Sequence, residues 1–555
     1  MSIPRLALIF LLTLGHLLPS ARAQPAPPPR LVVIIVVDQF RADYLDRFGA
    51  WLSSDGFRRL QREGTTFTGA RYHHAITQTA AGHAQMSTGA FAERHGIIGN
   101  DWLDRNRWEM VNSVEDPASP LVGVSPAELG PELALAPTKG GRSPRHLQID
   151  TLADALKARD GDRCRVVGVS AKDRAAILLS GRRGDVALWQ EAGRFISSQY
   201  YGTAVPPWVN EFNRTHPVAA FFGATWERLL PASVYEKVQG PDDAEGEENG
   251  LGLGRTFPHP INGGEAKPGR RFLVAWENTP LAAIQLGELA QCAISTERLG
   301  QHAGTDFLGV SFSSFDELGH RYGPDSHEIM DAFLRLDRVV AELLAHLDRE
   351  VGLDRCAIAL TGDHGVAPLP ERKSASGALR LKLGTVDTRL RAELDARLGP
   401  GPAEGWFRRD NLSYHVTPAA AQQTGDAARV AAAIVTALRA MPEIALAVSA
   451  EEIAADPSPK DPLRAAVRRS WNADRRRDVL FFPQPFIVPR DGTGTTHGTP
   501  WDYDTRVPLI FRGPGIPAGT VRTEDVGIEH LAPTLAARAG VTMPQAQGRD
   551  LFSRP

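Results

Sequence analysis

Cysteine is scarce in this chain: Cys164, Cys292 and Cys356 are the only three in 555 residues, and no two form a C-x-x-C pair. The odd, low count excludes a disulfide framework. Cys164 and Cys356 each open an apparent strand and read as small buried hydrophobes, so thiolate ligation of zinc is not expected. Charge of one sign is also lacking. A formal net charge of −3 argues against a general nucleic-acid binder, whose affinity would need a basic surface. No G-x-x-x-x-G-K-[ST] loop and no internal repeat is present. Long apolar runs are missing after the first two dozen residues. There, Arg5, the stretch Leu6 to Leu18 and Ala21-Arg22-Ala23 predict a cleavable signal peptide over 1–23, with Gln24 as the new N-terminus and export to the periplasm or medium. The stretch, interrupted by His16, is shorter than the roughly 20 residues of a spanning helix. No transmembrane span is expected after signal removal.

What is present fits a large globular enzyme. Hydrophobic residues make up 42% and charged residues 23% of the chain, enough for a substantial core. A Pro-rich linker over 24–30 precedes a domain predicted over 31–555, with insertions at about 185–300 and 372–490 that would wall or cap a site. Strands are predicted from Leu31 and at Cys164 to Ser170, Phe307 to Phe312, Cys356 to Thr361 and Val507 to Phe511, with helical patterns at Glu328 to Leu347 and Asp426 to Met441. That alternation predicts an α/β fold. The Gly/Glu-rich segment Gly240 to Gly254 and the Arg-rich stretch Arg468 to Arg477 read as solvated surface.

Six residues carry the chemistry: Asp38, Asp316, His320, Asp363, His364 and His497. Three clusters of them follow apparent buried strands, and residues just past neighbouring parallel strands converge on one crevice. Asp316 and His320 are four apart, on one face of a helical turn. Asp363 and His364 sit in a Thr-Gly-Asp-His-Gly-Val turn, and His497 lies in a Gly-rich loop. Carboxylates and imidazoles in equal number suit two zinc ions and in-line displacement at phosphorus. Thr79, in Thr77-Gln78-Thr79-Ala80-Ala81-Gly82-His83, would sit at a helix N-terminus, where exposed N–H groups favour an anion. Next to a metal its hydroxyl can serve as nucleophile. Thr77 is its rival, and His83 reads as structural.

The order Asp38, Thr79, Asp316-x-x-x-His320, Asp363-His364, His497, with His497-Gly-Thr-Pro-x-x-Tyr-Asp-x-x-Val-Pro-Leu, resembles the alkaline phosphatase superfamily in its threonine-nucleophile branch. The resemblance covers most of the mature chain. It implies an alkaline-phosphatase-like fold, a central, mostly parallel sheet flanked by helices with inserted cap regions. It implies two Zn2+ per subunit, one held by Asp316, His320 and His497, the other by Asp38, Asp363 and His364 with Thr79 coordinated to it. Lys172 and Arg174 in Ser170-Ala171-Lys172-Asp173-Arg174 are two apart, on one side of a segment read as extended. They resemble the phosphate clamp of PafA-type bacterial alkaline phosphatases, and Asn100 matches the amide that contacts the phosphoryl group there. Two cations against terminal oxygens favour the dianionic monoester. The expectation is a zinc phosphomonoesterase acting through a covalent phosphothreonine. The alternative is a phosphodiesterase or nucleotide pyrophosphatase on the same metals. Sulfatases share the metal frame, but no cysteine here opens a C/S-x-P-x-R motif. The expected partners are small-molecule phosphate monoesters and no nucleic-acid polymer, with a monomer as the simplest state.

Overall fold

Six of the seven residues of β1 (Leu31–Val37) are β-branched, which favours an extended backbone. No polar residue interrupts the run, as befits a strand covered on both faces. In the computed structural model, which describes residues 27–124 and 140–553, β1 is wholly buried. Its side chains alternate between two apolar clusters: Leu31, Val33, Ile35 and Val37 join one, Val32, Ile34 and Val36 the other. Burying seven such side chains contributes roughly 10–20 kcal/mol before chain entropy is charged.

Around β1 lie β2 (Val166–Ser170), β3 (Asp306–Phe312), β4 (Cys356–Gly362) and β5 (Leu509–Arg512). They belong to a ten-stranded sheet ordered Thr520–Arg522, Thr65–Phe67, β5, β4, β1, β3, β2, Val186–Glu191, Arg194–Ser198, Leu121–Val122. The centre, from β4 to Val186–Glu191, is parallel. Antiparallel pairing sets in on either side, β5 against β4 and Arg194–Ser198 against Val186–Glu191. The sheet is therefore mixed, with the α/β core expected from the sequence. Residues 407–483 carry a separate four-stranded sheet with its own apolar cluster. The three cysteines are free, with Cys164 and Cys356 buried. The expected signal peptide and the first residues of the linker lie outside the described residues. Among those described, no helix is long and apolar enough to cross a membrane.

Two surface expectations are corrected. In the acidic segment Glu247 is 1% exposed, and Glu248 ties Arg321 and Arg490 together at 3.2 and 2.5 Å. It packs because Gly246 O accepts from Gly494 N and Arg321 O from Glu248 N, which fastens it between the end of the His320 helix and the His497 loop. In the Arg-rich stretch Arg477 is buried, paired with Asp410 at 3.3 Å and donating to Ile98 O and Asp101 O. Composition hides such pairing, because a charge is read as solvated until its counter-charge is seen.

Candidate metal and phosphoryl site

The register of the central strands assembles the site. Val37 lies opposite Phe312 on one side and Gly362 on the other, so β1, β3 and β4 end level. Asp38 and Asp363 are the next residues of their strands. Asp316 enters three residues later on the first turn of α3 (Ser314–Tyr322), and His320 follows one turn on. His497 arrives from the loop preceding β5, held by Thr499, whose N–H and hydroxyl both donate to buried Asp504, and by Gly365 N donating to Asp504 O.

All three histidines face the crevice with the same ring atom. His320 Nδ1 lies 2.9 Å from Thr495 O, His364 Nδ1 3.0 Å from Gly365 O and His497 Nδ1 2.6 Å from Thr77 O. A carbonyl only accepts, so each Nδ1 carries the hydrogen and each Nε2 keeps its lone pair, the arrangement of metal-ligating imidazoles. His320 Nε2 and His497 Nε2 lie 3.3 and 3.5 Å from Asp316 Oδ1; His364 Nε2 lies 3.4 Å from Asp38 Oδ1 and 3.7 Å from Asp363 Oδ2. Asp38, Asp363 and His364 offer ligand atoms within 4.8 Å of one another. So do Asp316, His364 and His497, and the stacked His364 and His497 rings are 3.6 Å apart. In this second trio His364 stands where His320 is expected, because its ring lies between the two groups.

Asp38 Oδ1, Asp363 Oδ2 and His364 Nε2 are fully buried without a hydrogen-bond partner. Orphaned atoms of this kind are costly, and these oxygen and nitrogen donors suit a divalent cation. Burial first, then the Asp316 charge, pushes the Asp38 carboxyl up to about 6. Burial and Asp38 push Asp363 well above its ordinary value. Burial and the neighbouring His497 hold His364 well below the usual imidazole range. Burial acts upward on Asp316 too, but His320, Lys172 and His497 outweigh it and keep it well below.

α1 (Thr79–Thr88) begins at Thr79, which is 1% exposed, and every residue of the helix is buried. The helix can sit this deep because residue 82 is glycine: a Cβ there would stand 2.4 Å from Asp363 O. His83 donates or accepts only within the protein, 2.8 Å from Thr79 O and 2.9 Å from Ser311 Oγ, and burial pushes its pKa down to about 3. Thr77 is occupied, its hydroxyl donating to Thr499 O at 2.9 Å. Asn100 Oδ1 accepts from Ala80 N at 2.9 Å, which leaves its amide hydrogens uncommitted, and Asn100 N donates to Gln78 Oε1.

The cation pair departs from its expected backbone. Lys172 is the extended N-cap of α2 (Asp173–Ser180), and Arg174 stands on that helix's first turn, where its N–H donates to Asp173 Oδ1 at 2.7 Å. Lys172 Nζ bridges the two ligand groups, 2.9 Å from Asp38 Oδ2 and 2.5 Å from Asp316 Oδ2. Arg174 Nε is buried without a partner. Both cations help depress His83, so both act on the pocket behind Thr79.

Sequence reasoning missed Gln39. It adopts φ 64°, its Nε2 donates to Asp316 Oδ1 at 2.5 Å, and its N–H donates to Asp363 Oδ1 at 3.1 Å. One residue thus fixes a carboxylate from each group. A left-handed conformation is unusual for a residue with a side chain, and nothing in the sequence around Asp38 signals it. Gly319 makes the room: a Cβ there would stand 1.6 Å from Gln39 Oε1. Gly319→Ala should lower stability by about 1–3 kcal/mol and weaken metal binding, read by denaturant unfolding and by zinc titration of the metal-free protein. Unchanged zinc affinity in a folded variant would refute the bridging role of Gln39.

A family model described as type I phosphodiesterase / nucleotide pyrophosphatase matches residues 32–424. Alkaline phosphatase PhoV of Synechococcus elongatus is 32% identical over 95% of this chain and 92% of its own length. Alkaline phosphatase PafA of Elizabethkingia meningoseptica is 31% identical over 98% and 97%. The crystal structure of wild-type alkaline phosphatase PafA superposes with a TM-score of 0.86 at 29% identity, covering 95% of this chain and 99% of that one.

Proposed function

The chain belongs to the type I phosphodiesterase / nucleotide pyrophosphatase family, in its PafA-type alkaline phosphatase branch, and from that premise we propose that it is an exported phosphate-monoester hydrolase with two zinc ions per subunit. The observation that carries the reading is the convergence, at three level strand ends, of two Asp/His groups, with the buried helix that Thr79 begins packed against Asp363 at Gly82.

Asp316, His320 and His497 would hold one zinc; Asp38, Asp363 and His364, with Thr79, would hold the other. When bound, the ions stabilise negative charge on the threonine oxygen and on the leaving oxygen. Thr79 Oγ, its hydroxyl proton passed to solvent, attacks phosphorus in line as the ester P–O bond breaks, and the departing alkoxide takes up a proton from solvent to leave as the alcohol. The product is a phosphothreonine. Water then attacks phosphorus from the side the alcohol vacated and breaks the Thr79 Oγ–P bond; one of its protons passes by way of solvent to Thr79 Oγ, and inorganic phosphate is released. Asn100 donates its amide hydrogens to a phosphoryl oxygen, with the α1 N-terminus behind it. Lys172 and Arg174 neutralise the terminal oxygens, where transition-state charge lies. The leader read over 1–23 accounts for export.

The family description favours a second reading, cleavage of diesters on the same residues. Turnover of p-nitrophenyl phosphate against bis-p-nitrophenyl phosphate decides between them. Arg174→Ala should cost the monoester about 10²–10³-fold in kcat/KM, the scale of one preorganised charge contact, and the diester less than about ten-fold, since it lacks the second charge that Arg174 meets. A wild-type preference for the diester rejects the monoesterase reading.

A further inference from the structure

Beside the site, between the catalytic sheet and the separate four-stranded sheet, is a recess of about 80 Å³. Ile76, Leu383, Leu412 and Phe482 make its apolar wall, and Gln78 and His497 line it where it meets the site. Of the six metal-ligand candidates only His497 borders it; neither Lys172, Arg174 nor Asn100 does. In the mechanism above His497 belongs to the group that serves the leaving oxygen. The recess therefore abuts the ester's alcohol side and not its phosphoryl oxygens.

Its two buried charges face each other: Asp410 and Arg477 pair at 3.3 Å, Arg477 also donates to Ile98 O and Asp101 O, and Asn411 Nδ2 lies 3.2 Å from Asp410 Oδ1. The Asp410 and Arg477 charges offset each other, so a charged alcohol would lose water there with little compensation. A volume of 80 Å³ is also well below the roughly 150 Å³ of an engineered apolar cavity that encloses benzene. It admits the edge of one ring or a short alkyl chain.

We infer that this recess is a leaving-group subsite that selects phosphate monoesters of small, uncharged, apolar alcohols. The selection is imposed by Leu412, which lies in the turn after Phe407–Asp410, and by Leu383, both only half-buried. The inference rests on the monoesterase reading and deepens it.

Benzyl phosphate and 2-hydroxyethyl phosphate test it, because their alcohols are of similar basicity and differ chiefly in the apolar ring. The metal-replete enzyme should prefer benzyl phosphate by about 10–100-fold in kcat/KM, the discrimination a hydrophobic pocket gives for a small apolar group. Leu412→Ser and, independently, Leu383→Ser should each cut that ratio several-fold. Inhibition by inorganic phosphate, which has no leaving group, reports whether the phosphoryl site of each variant is intact. A wild-type ratio near one overturns the inference, as does an unchanged ratio in two variants that still bind phosphate. Hydrolysis of neither ester by folded, metal-replete enzyme overturns the monoesterase reading itself, and this inference with it.

Discussion

Thr79→Ala will leave a folded, metal-binding protein whose turnover of p-nitrophenyl phosphate has fallen by at least about 10⁴-fold, the scale on which removal of a covalent nucleophile acts. Folding should survive because Thr79 makes no side-chain cap; Gln78 is the N-cap residue, and α1 is held by Ala80 N donating to Asn100 Oδ1 and by the close fit of Gly82 against Asp363. Thr77→Ala is the contrast. It removes only a hydroxyl already committed to Thr499 O and leaves the carbonyl that orients His497, so its loss should be small. Acid quenching during turnover should trap a phosphorylated peptide containing Thr79 in the wild type and none in the variant. Full-speed hydrolysis by Thr79→Ala would mean that water attacks the ester directly.

The reason so much of this site is legible without coordinates is that its parts are local words. A run such as LVVIIVV announces a buried strand, and the polar residue that ends it is delivered to the strand's carboxyl end whatever the rest of the chain does. The four-residue spacing of Asp316 and His320 survives as a turn of α3. Residues that act through tertiary contact carry no such signature. Gln39 looks like any polar residue after an aspartate until Gly319 is seen to make room for it. Lys172 and Arg174 are two apart in either conformation; whether the second is extended or helical depends on where the helix after β2 begins, and it begins at Asp173. Glu248 and Arg477 read as solvent-facing because their partners are 73 and 67 residues away in sequence, at Arg321 and Asp410. The antiparallel placement of β5 is likewise invisible, because an apolar strand reads the same in either direction.

Chelation should abolish activity, lower the temperature of unfolding, and be reversed on both counts by zinc, with the return complete at about two equivalents per chain. The argument starts from burial. Asp38, Asp363 and His364 are 0% exposed and keep three atoms without a partner, and Lys172 is the sole ammonium within 4 Å of Asp38 and Asp316 among the described residues. One positive charge cannot balance three clustered carboxylates; burial first, and then the neighbouring carboxylates, push Asp38 and Asp363 upward. A cation that binds this cage and not the unfolded chain stabilises the fold by RT ln(1 + [L]/Kd), about 4 kcal/mol at a thousand times Kd. Removing it leaves the three carboxylates to Lys172 or to protonation, so the metal-free fold should lose stability as pH rises through the raised Asp38 pKa, near 6, and the carboxyl must ionise. Zinc should abolish that pH dependence by supplying the missing charge. A metal-free protein that unfolds at the same temperature at pH 5 and pH 8, or that hydrolyses monoesters at full rate, would show that these groups serve the fold by some means other than holding a metal.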